Sequence, residues 1–308
     1  MNPLYREKTM KSEWKKVLLQ WVCPIIVLFF ILVLLFSRFS KSLNEGIASN
    51  FERNMEYQVE LCATKLGQEF EKIHTVGKMI CSMVSSGTGQ PGEVKELLNL
   101  AVEQTEVYEA LVFRPDGSAI LHDGRVLLLN DANYYEWVSE ATQFSYRYVS
   151  NDGITGTEAV LMIVPAEGQG QKIVMYYPVQ KIRSMINMKD AFGNATFITL
   201  LDEKGRVIVT TDETSSFFKT RDFWNNADKP YLARATVAGQ KAGNGQTGCL
   251  AFTVDGEERT VVYAPVYKWC LAAGVHQSYV NYMEQHQAKK LMMKLGWIII
   301  TIILGVLL

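Results

Sequence analysis

Val17 to Phe36 reads VLLQWVCPIIVLFFILVLLF, a run with one polar residue, Gln20, and no charge. About 20 such residues, rising 1.5 Å each, match the ~30 Å hydrocarbon core of a bilayer. The run predicts a transmembrane helix over 17–37 and makes the lipid bilayer a partner of the chain. Pro24 is no obstacle, because membrane helices accommodate proline. A secretory signal peptide would have a shorter apolar core and a small-residue cleavage site, and Ser37-Arg38-Phe39-Ser40 offers none. Arg6, Lys8, Lys11, Lys15 and Lys16 precede the run, whereas only Arg38 and Lys41 closely follow it. The positive-inside bias then puts residues 1–16 in the cytoplasm as a tail and residues 38–290 outside the plasma membrane. At the far end, Leu295 to Leu308 reads LGWIIITIILGVLL. That is short for a crossing, and it is expected to be the start of a second transmembrane helix, cut off at Leu308, with Trp297 at its outer interface.

The rest of the chain narrows the function by exclusion. With 31 Lys+Arg against 32 Asp+Glu, the net charge is −1. A nucleic-acid binder usually carries a basic excess, so no nucleic-acid partner is expected. A composition of 48% hydrophobic residues excludes a disordered chain. No nucleophile elbow or P-loop motif occurs, and His74, His122, His276 and His286 make no metal-binding spacing. Residues 1–308 are therefore expected to hold no catalytic residue, no metal and no cofactor. Cys62 and Cys81 fall on one predicted helix roughly 28 Å apart, and Cys249 and Cys270 fall on strands with a third between them. The cysteines read as small core residues rather than a disulfide framework.

Beyond the first run, apolar residues recur at steps of three and four from Leu43 through Phe51, Val59, Leu66, Phe70 and Ile73 to Val84. This predicts one long spine helix, ~63 Å in length, and its unbroken face suits the seam of a homodimer. A second helix is expected over Glu93 to Glu106, closing a helical region at 38–106. The period then changes to that of strands. Glu109 to Phe113 and Ser118 to His122 flank a turn at Pro115-Asp116-Gly117. A short aromatic helix follows at Asn133 to Val138, then strands at Tyr146–Ser150, Glu158–Val164 and Lys172–Tyr177, and a connecting helix from Val179. The same plan repeats. Thr196–Leu201 and Arg206–Thr210 form a strand pair, helical sequence follows around Phe217–Ala238, and Gly248–Val254, Arg259–Pro265 and Trp269–Val275 close the unit. Two lobes are expected, at 107–190 and 191–278, each a five-stranded antiparallel sheet with helices on one side. An exit helix at 279–294 would lead into the segment 295–308. The fold class is α+β.

This arrangement resembles a double Cache sensor domain, the extracytoplasmic PAS-like module of bacterial transmembrane receptors. The likeness covers roughly residues 40–290. In the second lobe, the stretch Phe197 to Ile208, with Asp202-Glu203-Lys204-Gly205 at its turn, is similar to that family's membrane-proximal strand pair. Asp255-Gly256-Glu257, Tyr263-Ala264-Pro265-Val266 and Trp269 are similar to its closing strands. The resemblance implies a ligand in the membrane-distal lobe, beneath a helix that carries Arg-x-Trp-Tyr in receptors for amino acids. Here Trp137 matches, Tyr135 stands at the Arg position, and Val138 stands at the Tyr position. The acidic position after the last distal strand falls near Pro178. Without an Arg for a carboxylate and an Asp for an ammonium, amino-acid recognition loses its charge logic. Tyr134, Tyr135, Trp137, Tyr148 and Tyr176 are the candidate ligand-binding residues, with Tyr146 and Tyr177 in the same aromatic group. Aromatic walls with hydroxyl groups suit a small amphipathic ligand. The expected function is the sensing portion of a receptor that relays binding of a small molecule to a cytoplasmic diguanylate cyclase, histidine kinase or chemoreceptor output absent from this chain. The alternative is a complete membrane-anchored binding or scaffold protein without enzymatic output.

Overall fold

A computed structural model of the protein describes residues 23–86, 90–129, 135–166, 170–187, 196–211 and 222–307. Asn54–Gln277 form one compact unit, and residues 23–53 with 278–307 belong to a second.

Helix α1 spans Cys23–Ser86. It starts well before the stripe foreseen from Leu43, because no proline or glycine between Ser37 and Leu43 interrupts the helix. Within the compact unit, Met55, Val59, Leu66, Phe70, Ile73 and Ile80 are fully buried, the pattern that the three-four spacing demands. Helix α2 (Pro91–Gln104) opens on a proline at its first turn, where the missing N–H costs nothing.

Six strands follow and form the first sheet. It contains β1 (Glu109–Phe113), β2 (Ser118–Leu121), β3 (Val126–Leu128), β4 (Ser145–Val149), β5 (Ala159–Pro165) and β6 (Lys172–Pro178), with helix α3 (Tyr135–Glu140) inserted before β4. The strands are antiparallel in the order β3-β2-β1-β6-β5-β4. Helix α4 (Val179–Met185) leads to the second sheet of β7 (Thr196–Leu201), β8 (Val207–Thr210), β9 (Gly248–Val254), β10 (Glu257–Val266) and β11 (Trp269–His276). A 3₁₀ turn at Trp224–Asn226 and helix α5 (Lys229–Gly243) precede β9. Its order is β8-β7-β11-β10-β9. Both sheets pair their first strand with their last, so the repeat foreseen in the sequence is a repeat of topology. The architecture is α+β, a long N-terminal helix with two antiparallel sheets.

Two expectations need correction. The first sheet has six strands rather than five, because Val126–Leu128 turns back onto β2 after Gly124, whose φ of +90° suits glycine. The uniform Val-Leu-Leu run has no alternation to announce a strand, and Val126 and Leu128 are in fact exposed. Helices also cover both faces of that sheet. A Cβ on Gly77 of α1 would lie 2.6 Å from Val164 Cγ2 and 2.7 Å from Met175 Cε, so α1 lies against the face bearing those residues. Val138 of α3 packs instead with Leu111, Leu121, Leu161 and Val174 on the opposite face.

Helix α6 runs as one piece over Gln277–Leu307. In its unit the rings of Phe51 and Tyr279 meet edge to face at 6.4 Å. Among the described residues no helix is long and apolar enough to cross a membrane; the first predicted span begins outside them, at Val17.

Candidate functional site

The inner face of the first lobe is built from the underside of α3 and from alternate residues of the sheet. Leu111 and Phe113 of β1, Leu161 and Ile163 of β5, and Val174 and Tyr176 of β6 share this layer. Helix α3 is short, and a buried cation fixes it there. Lys172, at the head of β6 and almost fully buried, donates from Nζ to the carbonyl of Val138 at 2.7 Å and to that of Ser139. A cation at a helix C-terminus meets the orphan carbonyls and the negative end of the dipole. Burial pulls the Lys172 ammonium below its ordinary value. Its Nζ also sits 5.9 Å from the Phe113 ring centre, and Tyr135 packs edge-on against the same ring at 5.7 Å.

Trp137 is half-buried on α3, with the Arg147 guanidinium 5.8 Å from its ring centre. Tyr176 is fully buried, and its ring lies 6.1 Å from that of Tyr108. Tyr135, Trp137 and Tyr176 therefore do share one layer. Tyr148 does not join them. Strand alternation gives Arg147 and Val149 of β4 to the α3 face, so Tyr146 and Tyr148 face the other way. Tyr177 likewise turns from Tyr176 toward α1, where its ring meets Phe70. The expected aromatic group is split by the sheet into two. Tyr134 lies outside the described residues.

The polar fittings of this layer were not foreseen. The β4–β5 loop, Asn151 to Thr157, is organised around Asp152, which has no exposed surface. Its carboxylate accepts hydrogen bonds from the backbone N–H of Ile154 (2.9 Å), Thr155 (2.7 Å) and Gly156 (2.9 Å), from the Thr155 hydroxyl, and from the Tyr108 hydroxyl at 2.5 Å. Burial works to raise the Asp152 pKa, but the bonds from Thr155, Tyr108 and the backbone outweigh it and hold the group below the ordinary carboxylate value. Burial and the same carboxylate push the Tyr108 phenol well up. Ile154, carried by the loop, packs on the lobe's core. At the end of β1, the buried Glu109 carboxylate accepts from the Ala110 N–H at 2.9 Å and is bonded to the His122 ring. The signal for Asp152 was present in Asp152-Gly153 followed by two threonines, a turn in which a carboxylate caps nearby amides.

The second lobe is organised differently. Its interior is filled by its own rings: Phe197, Phe223, Trp224, Phe252 and Tyr263 pack together with small residues of α5. Glycines make that filling possible. A Cβ on Gly274 would stand 2.3 Å from the Phe197 ring, and one on Gly248 would stand 2.4 Å from the Tyr263 hydroxyl. Gly205 and Gly239 stand against the Trp224 indole in the same way. A cavity of about 530 Å³ lies at this lobe's edge, between α5 and the β7–β8 turn, bordered by Asp202, Asp222, Trp224, Gln240 and Lys268. Asp202 is already engaged by the N–H groups of Lys204 and Arg206 and by the Arg206 side chain at 2.6 Å. The run Gly243 to Gly248 has the glycine spacing of a dinucleotide-binding turn, yet it leads from a helix into a strand, the reverse of that motif. Among the described residues no group of three His, Cys, Asp or Glu side chains is placed to hold a metal ion. Among the described residues, Cys62, Cys81, Cys249 and Cys270 are in no disulfide.

No family model and no curated protein matches the sequence. Solved structures do match the fold. The ligand-binding domain of the Pseudomonas aeruginosa amino acid chemoreceptor PctB, in complex with L-Arg, aligns at a TM-score of 0.58 and 13% identity, over 75% of this chain and 97% of that one. The extracellular domain of soHK1S-Z6, a protein named as a histidine kinase, aligns at 0.58 and 14%, over 77% and 98%. The sensory domain of the Campylobacter jejuni chemoreceptor Tlp3, with isoleucine bound, aligns at 0.56 and 8%, over 77% and 97%. With the long helix, the two lobes and the strand order common to both of its sheets, these matches show that the chain has the fold of the double Cache sensory domain.

Proposed function

We propose that this protein is the extracytoplasmic ligand-sensing part of a transmembrane signal-transduction receptor. Residues 107–190 would be its membrane-distal lobe and residues 191–278 its membrane-proximal lobe. The observation that carries the reading is the match to sensory domains over nearly their whole length, joined to an asymmetry between the lobes. The proximal lobe is filled by its own aromatic rings, whereas the distal layer presents half-buried Tyr135 and Trp137 beside organised polar groups. The occupant is a small amphipathic molecule, held against Trp137 and Tyr135, with Tyr176 as part of the inner wall. Tyr148 stands outside this group because it lies on the α1 side of the sheet, and Tyr134 lies outside the described residues. Catalysis is no part of the reading, and a diguanylate cyclase, histidine kinase or chemoreceptor module would supply the output.

Membrane anchoring is supported by the sequence of Val17 to Phe36 and by exposure of Phe30, Leu34, Leu35 and Phe36 on α1, with Trp297 exposed on α6. Large apolar side chains left open in this density call for an apolar surrounding, and a lipid bilayer supplies it. The N-terminus would then be cytoplasmic, and two copies would pair along α1.

The test is thermal unfolding of the full chain in detergent micelles, with the standard amino acids, short carboxylates and small amines added one at a time. The proposal expects a saturable rise in Tm with at least one compound, abolished by Trp137→Ala and retained by Gln240→Ala at the proximal cavity. The opposite pattern of loss would move the site to the proximal lobe. No rise with any compound would leave the anchored scaffold as the better reading.

A further inference from the structure

The distal layer and the strand that feeds α6 meet inside the compact unit at strand β4, and the chemistry of that contact is specific. Strand β4 is the edge of its sheet, bonded only to β5. An edge strand, held on one side, tilts at lower cost than a central one. Its consecutive residues Tyr146 and Arg147 point to opposite faces. Arg147 reaches the Trp137 ring on α3. Tyr146 faces α1, and its ring stands edge-on to Trp269 at 4.7 Å and 80°. The Tyr146 hydroxyl also accepts the backbone N–H of Lys268 at 2.6 Å. Trp269 is the first residue of β11, and β11 ends at His276, directly before the first residue of α6.

Helix α1 provides the bearing for this contact. Phe70, fully buried, touches Tyr146 at 5.6 Å, Trp269 at 5.9 Å, Tyr177 at 6.3 Å and Tyr267 at 6.4 Å, measured between ring centres. One turn on, the His74 ring stacks on Phe144 at 4.0 Å. Tyr267, in the turn between β10 and β11, has a φ of +54°, uncommon for a residue with a side chain. Its hydroxyl donates to Glu71 of α1. The turn is thus pinned to the helix on one side and bonded to β4 on the other.

We propose that Tyr146, through its ring contact with Trp269 and its bond to the Lys268 amide, is the relay by which a displacement of α3 on the distal ligand layer reaches β11 and α6. The path is Trp137, Arg147, the backbone of β4, Tyr146, Trp269, β11. It rests on the sensing role proposed above for its purpose. Its existence is measurable without any ligand, so the two readings stand or fall separately.

The experiment is a double-mutant cycle read by amide hydrogen exchange on the full chain in detergent micelles. Trp137→Ala removes the ring that Arg147 covers and serves as the input. The readout is exchange across Leu271–Gln277. The relay predicts that Trp137→Ala changes exchange there by about 2- to 30-fold, the range of measured coupling between sites. It predicts that Tyr146→Phe, which keeps the ring but loses the acceptor, reduces that change, and that Tyr146→Leu removes it. Tyr177→Phe, on β6 beside the same Phe70 but off the path, leaves the change intact. If Tyr146→Leu does not fold, Tyr146→Phe decides alone. An unaltered β11 in Trp137→Ala, or an equal change with and without the Tyr146 hydroxyl, overturns the relay.

Discussion

Asp152 has no exposed surface, yet it stays ionised because six donor groups surround it. An ionised buried group requires such a shell. Its folded pKa lies below the ordinary carboxylate value of 3.8. The stability this contributes is therefore present above that value and is lost as pH falls through the folded pKa. Asp152→Asn is expected to cost about 1–3 kcal/mol at neutral pH and to flatten the acid limb of the stability curve, in urea titrations at stepped pH. The thiols divide just as sharply. Burial pushes Cys81 up to about 11 and Cys270 up to about 12, while Cys249 is exposed. Because the thiolate is the reactive form, maleimide at neutral pH should modify Cys249 quickly in the folded chain and leave Cys81 and Cys270 intact, as read by peptide mass spectrometry.

At the scale of the elements, two glycines of α1 make opposite predictions. Gly67 has nothing within 4 Å of an added Cβ, whereas Gly77 meets Val164 and Met175. Gly67→Ala should stabilise the chain by about 0.5–1 kcal/mol through helix propensity. Gly77→Ala should destabilise it by about 1–3 kcal/mol, because the added methyl pushes α1 off the sheet, and thermal unfolding of the two variants checks the signs. The elements were largely readable in advance. The three-four spacing gave α1, and Thr196–Leu201 and Gly248–Val254 fall where their apolar runs and bordering turns put them. The aromatic grouping was harder to read. Ser145-Tyr146-Arg147-Tyr148-Val149 has large or polar residues at every position, so its pattern does not reveal which face meets α3 and which meets α1. The face is set by pairing with β5, a contact remote in sequence. Lys172 escaped for the same reason, since its partners Val138 and Ser139 lie more than thirty residues away; for Asp152 the local loop donors were legible, and only its remote partner Tyr108 was not.

At the scale of the molecule, one topology has been used twice with different interiors. The second lobe closes over Phe197, Phe223, Phe252 and Tyr263, and the first holds α3 with a buried lysine and a half-buried tryptophan. This difference supports the proposal that ligand binds in the first lobe rather than the second. It is tested most directly by hydrogen exchange of the full chain, with and without a mixture of the standard amino acids, short carboxylates and small amines. The account predicts slowed exchange over Tyr135–Glu140 and over the Asn151–Thr157 loop, with Lys229–Gly243 of the second lobe unchanged. Protection confined to Lys229–Gly243, with the first lobe unaffected, would contradict it.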